Sequence, residues 1–323
     1  MRVLITGGSG FIGSLLIKDL LEKYDQCSII NVDVKEPLIK NKNLEFIKGD
    51  ITDGSFLEKI DNINFDICIH LAALCKEPGF EWSEYFLVNH EGTKNVINLC
   101  ERLEVKNIIF TSTMMVYKAG EILRIESSPT EPDTAYGISK LLAEKELEIW
   151  VNQNKEARTL KIIRPAVVFG ENENANFTRL YYTLKKGFFP YVGKSNTIKS
   201  NVYVKELNRF IIFLLDNSTK EEVYNFSFPE EYSIKKIVET FKSIFGFKTI
   251  TPTLSFKLLK VTSYLFELLN SFGLRNSIHH RRIEKLYYST NIYPENAIKE
   301  GYSFNYDLTS ALSDWKKTGD LTE

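Results

Sequence analysis

The chain has no excess charge of either sign. Its 41 Lys and Arg stand against 42 Asp and Glu, a formal net charge of −1 over 323 residues. That balance gives no electrostatic case for a nucleic acid as partner. Cysteine is scarce as well, and Cys27, Cys68, Cys75 and Cys100 show no paired spacing. They read as reduced core residues of a cytoplasmic protein, not as a disulfide framework. Of only four histidines, the adjacent His279 and His280 lack converging partners, so no metal site is expected. The first residues read as a strand with one arginine, which does not fit a signal peptide. Long apolar runs are missing too: the most apolar stretch, Leu254 to Leu274, is broken by Lys257, Lys260 and Glu267. That excludes stable membrane insertion and leaves a helix packing on a substrate lobe. An amphipathic surface touching a membrane or a lipid-linked substrate is the alternative for this stretch. There are no repeats and no low-complexity linker.

What the chain does have begins at its N-terminus. MRVLITGGSGFIGSLLIKDLLEKY reads as a strand, Val3-Leu4-Ile5-Thr6, a glycine turn, and an amphipathic helix from about Phe11 to Leu21. Gly7, Gly10 and Gly13 carry the turn. They suit, in order, a tight backbone bend, close approach of a pyrophosphate, and close packing of helix on strand. The helix start adds free amides and a positive dipole end. A second strand, Cys27 to Val34, holds Asp33 about twenty residues beyond the last glycine, where a carboxylate accepts from both ribose hydroxyls and repels a 2′-phosphate. The pattern favours NAD over NADP. Phe46 to Ile51 reads as a third strand whose Asp50 is either an adenine contact or an ordinary turn aspartate.

Strand-like runs recur at Phe65–Leu71, Val105–Ser112 and Leu160–Phe169, with helical stretches at about Tyr85–Leu103 and Tyr136–Gln153 between them. Alternation of this kind predicts an α/β fold, a Rossmann-type doubly wound parallel sheet covered on both faces. At 323 residues one core is outgrown, so two lobes are expected. Residues 1–170 form the dinucleotide-binding domain, and 171–323 mostly form a smaller, interleaved substrate lobe with segments returning to the first. In AYGISK, Tyr136 and Lys140 are four residues apart and share one helix face. An ammonium there favours a phenolate, which lets tyrosine act as a base.

These residues carry a family resemblance. TGGSGFIG (6–13), NVDV (31–34), GDI (49–51), HLAA (70–73), VNHEGT (88–93), TSTMMVY (111–117), YGISK (136–140) and RPAVVFG (164–170) follow in one order. The chain resembles an extended short-chain dehydrogenase/reductase of the NAD-dependent epimerase/dehydratase group, most of whose members act on nucleotide sugars. The resemblance implies NAD held by Gly7, Gly10, Phe11, Ile12, Gly13, Asp33, Asp50, Ile51, Leu71, Ala72 and Ala73, together with Tyr136 and Lys140. It implies Tyr136 as base, Lys140 holding it ionised and bonding the nicotinamide ribose, and Thr113 orienting the sugar hydroxyl. Asn89 either positions the helix near these groups or caps it.

Where dehydratases of the family carry an Asp-Glu pair, this chain has Met114-Met115, so removal of water is not expected. Redox chemistry at a carbinol remains, with 4-epimerisation of a nucleotide sugar first and a 4-keto reductase or dehydrogenase as alternative. A dinucleotide-binding sensor without turnover and a lipid-alcohol dehydrogenase are further alternatives. Val167 stands where many relatives have a substrate-contacting Asn, and Asn176, Arg281 and Arg282 are the candidates for sugar or diphosphate contacts. Pairing through the two long helices would make a homodimer.

Overall fold

The computed structural model describes residues 1–54, 58, 60, 63–77, 79–271 and 280–321, without the side chains of 265–271, 281 and 282. Its strands are β1 (Arg2–Thr6), β2 (Ser28–Asp33), β3 (Leu44–Lys48), β4 (Ile67–His70), β5 (Asn107–Thr111), β6 (Thr159–Pro165), β7 (Val167–Phe169), β8 (Tyr191–Val192), β9 (Asn201–Tyr203), β10 (Val223–Phe226) and β11 (Thr253–Leu254). The helices are α1 (Phe11–Lys23), α2 (Trp82–Tyr85), α3 (Gly92–Arg102), α4 (Ala135–Asn152), α5 (Asn176–Lys185), α6 (Val204–Asp216), α7 (Ile234–Phe245), α8 (Phe256–Ser271), α9 (His280–Tyr287), α10 (Glu295–Lys299) and α11 (Leu308–Thr318).

Seven strands form one parallel sheet in the order β10-β6-β5-β4-β1-β2-β3. Successive residues of a strand face opposite ways. Accordingly Val3 and Ile5 lie in the core with α1 and α6, while Leu4 lies in the other, with Val96, Leu147 and Trp150 of α3 and α4. The order reverses between β1 and β4, and a crevice at the carboxyl ends of strands beside such a reversal is where ligands of open α/β sheets bind.

The chain beyond residue 170 contributes to this sheet. It supplies β10, and α6 lies over α1, where Lys23 and Tyr24 both bond Asp216. Its remaining strands make two small sheets, β7 with β9 and β8 with β11.

Two expectations need correction. The run Leu160–Phe169 is not one strand: β6 pairs with β5 and β10, then β7 leaves to pair with β9. The break falls at Pro165-Ala166, where proline has no N–H to continue the ladder. The long helix expected at Tyr85–Leu103 is interrupted by a π-helical turn, Phe86–Glu91, between α2 and α3. One inserted residue changes the face a side chain takes, and a 3.6-residue period does not reveal it.

Candidate active site

The glycine turn joins β1 to α1 at the reversal point. A side-chain carbon on Gly10 would meet only the Gly7 carbonyl, at 3.2 Å, so this side of the turn is open. Gly10 caps α1 without any side-chain hydrogen bond, which leaves the first amides of the helix, at Phe11 and Ile12, for a ligand. The Asp33 carboxylate at the end of β2 accepts from the Ser9 and Lys35 amides, both at 3.0 Å, and so is held against the turn. Leu71 donates its amide to the Thr6 carbonyl at 2.9 Å, and the next residue, Ala72, packs on Gly7. Asp50 is exposed; its carboxylate takes both the amide and the hydroxyl of Thr52, at 2.9 and 2.8 Å, so it heads a turn beyond β3. Ile51 is buried in the core beneath it.

Sequence reasoning missed the residue that shapes this turn. Asn31, buried in the middle of β2, accepts the Gly8 amide at 3.0 Å and donates to the Ser9 hydroxyl at 3.0 Å. A side-chain carbon on Gly8 would lie 2.4 Å from its oxygen. A polar residue inside an otherwise apolar strand was the available signal.

Thr113 follows β5, and α4 brings Tyr136 and Lys140 to it. The Thr113 hydroxyl lies beside the Tyr136 phenol and favours its ionised form. It also accepts the Met115 amide at 3.1 Å, capping a short 3-10 turn, Met114–Val116. Thr134 caps α4 by accepting the Gly137 amide at 3.1 Å, which places Tyr136 in the first turn. Burial raises the Tyr136 phenol above its usual range, and the Thr113 hydroxyl opposes that. Lys140 is buried one turn on, its Nζ 4.0 Å from the centre of the Phe110 ring. Burial pushes its ammonium down to about 7, against the pull of the Glu144 carboxylate a further turn along. Glu144 is itself gripped at both oxygens by Arg164, at 3.0 and 2.6 Å, and Arg164 also donates to the Tyr117 hydroxyl at 2.8 Å.

Asn89 is not a helix cap. The π-helical turn aims its buried amide at the loop after β4, where it accepts the Leu74 amide at 2.8 Å and donates to the Leu74 carbonyl at 3.0 Å. It also donates to Ser139 on α4 at 3.0 Å, so it clamps that loop to α4. His70 extends the clamp. Thr93 donates to the Asn89 carbonyl, so its oxygen accepts from His70 Nε2 at 3.0 Å, and His70 Nδ1 accepts from Thr6 at 2.6 Å. Burial drops this imidazole to about 3, keeping it neutral. Cys75, expected in the core, is exposed on the same loop, where its thiol bears on Tyr136 and Lys140.

The substrate-side expectations are less drawn together. Asn176 is exposed at the start of α5, whose first amides are taken by the buried carboxylate of Glu173. Among the described residues no hydrogen bond joins Asn176 to Thr113, Tyr136 or Lys140. Arg281 and Arg282 fall in α9, but their side chains lie outside the described residues, as does His279.

Residues 3–227 match the model of the NAD dependent epimerase/dehydratase family. The chain belongs to that family. It is 30% identical over 313 residues to the N-acetyl-alpha-D-glucosaminyl-diphospho-ditrans,octacis-undecaprenol 4-epimerase of Escherichia coli O157:H7, covering 96% of this chain and 93% of that one. Solved epimerases share the fold at low identity. The UDP-glucose 4-epimerase of Thermotoga maritima, determined with UDP-glucose, superposes with a TM-score of 0.77 at 20% identity over 98% of this chain and 99% of that one. The UDP-glucuronic acid 4-epimerase of Bacillus cereus, in complex with NAD, gives 0.74 at 21%, over 98% and 99%.

Proposed function

We propose that this chain is an NAD-dependent 4-epimerase of a sugar held through a diphosphate, the nucleotide sugars being the substrate class to which the family motifs point. One arrangement carries the reading. The Thr113 hydroxyl meets the Tyr136 phenol one turn from Lys140, and Met114-Met115 stand where dehydration would need an acid and a base.

NAD fits the residues present: an open Gly10, unclaimed amides at the start of α1, and the Asp33 carboxylate for a ribose. When bound, NAD supplies a place for the hydride of the sugar C4 and gives it back. The protein's part is the proton. Tyr136 takes it from the C4 hydroxyl and later returns it, Thr113 holds that hydroxyl in line, and the Lys140 ammonium stabilises the phenolate. Asn89 and the Arg164–Glu144 pair keep loop and helix in register so that these groups meet. The 4-epimerase name of the Escherichia coli relative supports the reaction type.

Mass spectrometry of the purified protein should find co-bound NAD. Proton NMR of UDP- and dTDP-sugars should then show epimerisation with no cofactor added. A strict need for added NAD(P)H would overturn the reading in favour of a reductase. Tyr136→Phe should keep its NAD and lose about 10²–10⁴ in kcat; an active Tyr136→Phe would refute the assignment.

A homodimer in the cytoplasm goes with this reading. Exposed Leu87, Leu142 and Ile149 on the two long helical segments support pairing there, which sedimentation velocity measures. One observation favours a polyprenol over a nucleoside as the carrier of the sugar diphosphate, namely the outward apolar face of α8.

A further inference from the structure

A surface helix ordinarily turns its apolar stripe inward. The described first turns of α8, residues 256–264, keep large apolar side chains on the outer face as well, although Phe256 packs inward and Tyr264 lies over the His280 ring. Ser263 is buried and its hydroxyl donates to the Lys260 carbonyl at 2.7 Å, while Leu258, Val261 and Tyr264 are 63%, 61% and 48% exposed. At 3.6 residues per turn these three share an arc of about 120° with Lys257, which is exposed among them. Large apolar side chains gathered on one face, unlike scattered ones, mark a surface that something covers.

The charge around this face says what. Helices α8 and α9 carry five Lys and Arg against two Glu, in a chain whose net charge is −1. Lys260 and Glu284 neutralise one another across the pair at 2.7 Å, Lys285 bonds the Glu77 carbonyl, and Lys257 stands exposed on the apolar face itself, while the sequence of the two helices is basic. Apolar residues interleaved with basic ones suit an anionic bilayer surface. Among the described residues no helix is long and apolar enough to cross a membrane, so the helix would lie on it.

A chain of contacts also runs from α8 toward Tyr136. Phe256 of α8 stacks on Tyr287 of α9 at 4.0 Å. Lys285 of α9 donates to the Glu77 carbonyl at 2.6 Å. The neighbouring Lys76 carbonyl accepts from Tyr85, whose ring lies 6.3 Å from that of Tyr136. Thus α8 is tied through α9 to the loop that walls the catalytic tyrosine.

We propose that the outer face of α8, with Lys257, Leu258, Val261 and Tyr264, seats the enzyme on an anionic bilayer, where it epimerises a sugar diphosphate whose polyprenyl tail stays in the membrane. The substrate half of this proposal rests on the 4-epimerase reading.

The test is co-sedimentation with vesicles of phosphatidylethanolamine and phosphatidylglycerol, beside vesicles of phosphatidylcholine. The wild-type chain should bind the anionic vesicles, and L258S/V261S/Y264S should lose at least about tenfold in partitioning. Lys257→Gln should lose about fivefold on anionic vesicles and nothing on phosphatidylcholine. Epimerisation of UDP-N-acetylglucosamine and of undecaprenyl-diphospho-N-acetylglucosamine in the same vesicles reads the chemistry separately. The triple variant should retain its rate on the soluble sugar and lose rate on the lipid-linked one.

A wild-type chain that stays in the supernatant, or a triple variant that binds equally well, overturns the docking. So does a triple variant that turns from dimer to monomer, since a second copy would then be what covers α8. Turnover of the soluble sugar alone, with vesicle binding intact, overturns the lipid-linked substrate. Turnover of neither, with vesicle binding intact, strikes the epimerase reading and the substrate half that rests on it, while the docking stands.

Discussion

Replacing Gly137 by alanine should damage this enzyme, although helix propensity alone says the opposite. Alanine in a helix interior is worth about 1 kcal/mol over glycine, and Gly137 lies within α4. Yet a side-chain carbon there would stand 2.2 Å from the Met115 carbonyl oxygen and 3.1 Å from Pro132 Cβ. Carbon–oxygen contacts between backbones settle at about 3.3–3.6 Å, so helix and turn must part by roughly 1 Å. Met115 belongs to the turn that Thr113 caps, and Tyr136 is the residue before Gly137, so the displacement falls between Thr113 and Tyr136. A misplacement of about 1 Å at reacting groups costs on the order of 10²-fold in rate, and overpacking costs about 1–3 kcal/mol in stability. The assay is kcat for epimerisation by NMR, with thermal unfolding and NAD content measured on the same sample. The expected Gly137→Ala protein keeps NAD, melts lower and turns over about 100-fold more slowly. Wild-type turnover with a raised Tm would refute the reasoning.

Three other outcomes follow from named groups. Lys140 and Lys199 are both pushed down to about 7 by burial, so above that pH the unfolded chain binds more protons and stability should rise with pH. From about pH 9 the raised thiols of Cys27 and Cys100 offset this and flatten the rise, because there the folded chain keeps thiol protons that the unfolded chain loses. A Tm that falls between pH 7 and 9, or a slope untouched by Lys199→Met, would contradict this. Asp33→Ala should weaken NADH binding about 10- to 100-fold and narrow its preference over NADPH, read by fluorescence titration; unchanged discrimination would remove Asp33 from the ribose site. Glu144→Gln leaves buried Arg164 without its two-point partner and should cost about 3–5 kcal/mol in urea unfolding, most of it recovered in E144L/R164M. If the single variant unfolds like wild type, the pair is not holding α4.

How much of this was legible in the sequence depended on how local each signal was. The strand–glycine turn–helix unit at residues 1–23 and the pairing of Tyr136 with Lys140 are short-range patterns, and both were readable from spacing. The split at Pro165 was half visible: a proline in a strand announces a break, but which strand the chain pairs with next depends on β9, more than thirty residues away. Asn89 and Cys75 were misplaced or left open for a related reason. The π-helical turn that aims Asn89 at Leu74, and the loop that carries Cys75 out to the surface, arise from packing against α4 and leave no periodic trace. Asn31, His70 and Glu173 were passed over because each acts on a backbone or hydroxyl group elsewhere in the fold.

By itself the sequence determined the class of fold, the strand–glycine turn–helix unit, and the placing of Tyr136 and Lys140 on one helix face. These rest on residues within a few positions of one another, where helix and strand geometry dictate which side chains meet. Met114-Met115 spoke against dehydration only through the family resemblance. Tertiary structure alone decided that Gly137 must be bare to let α4 pack on the turn that Thr113 caps. It alone decided that Arg164 and Glu144 are a buried pair behind Lys140, and that Leu258, Val261 and Tyr264 of α8 are exposed. Each of these is a contact, or the lack of one, between segments far apart in the chain. Hydrophobicity and spacing report what a segment could bury, and only the packed fold shows against what.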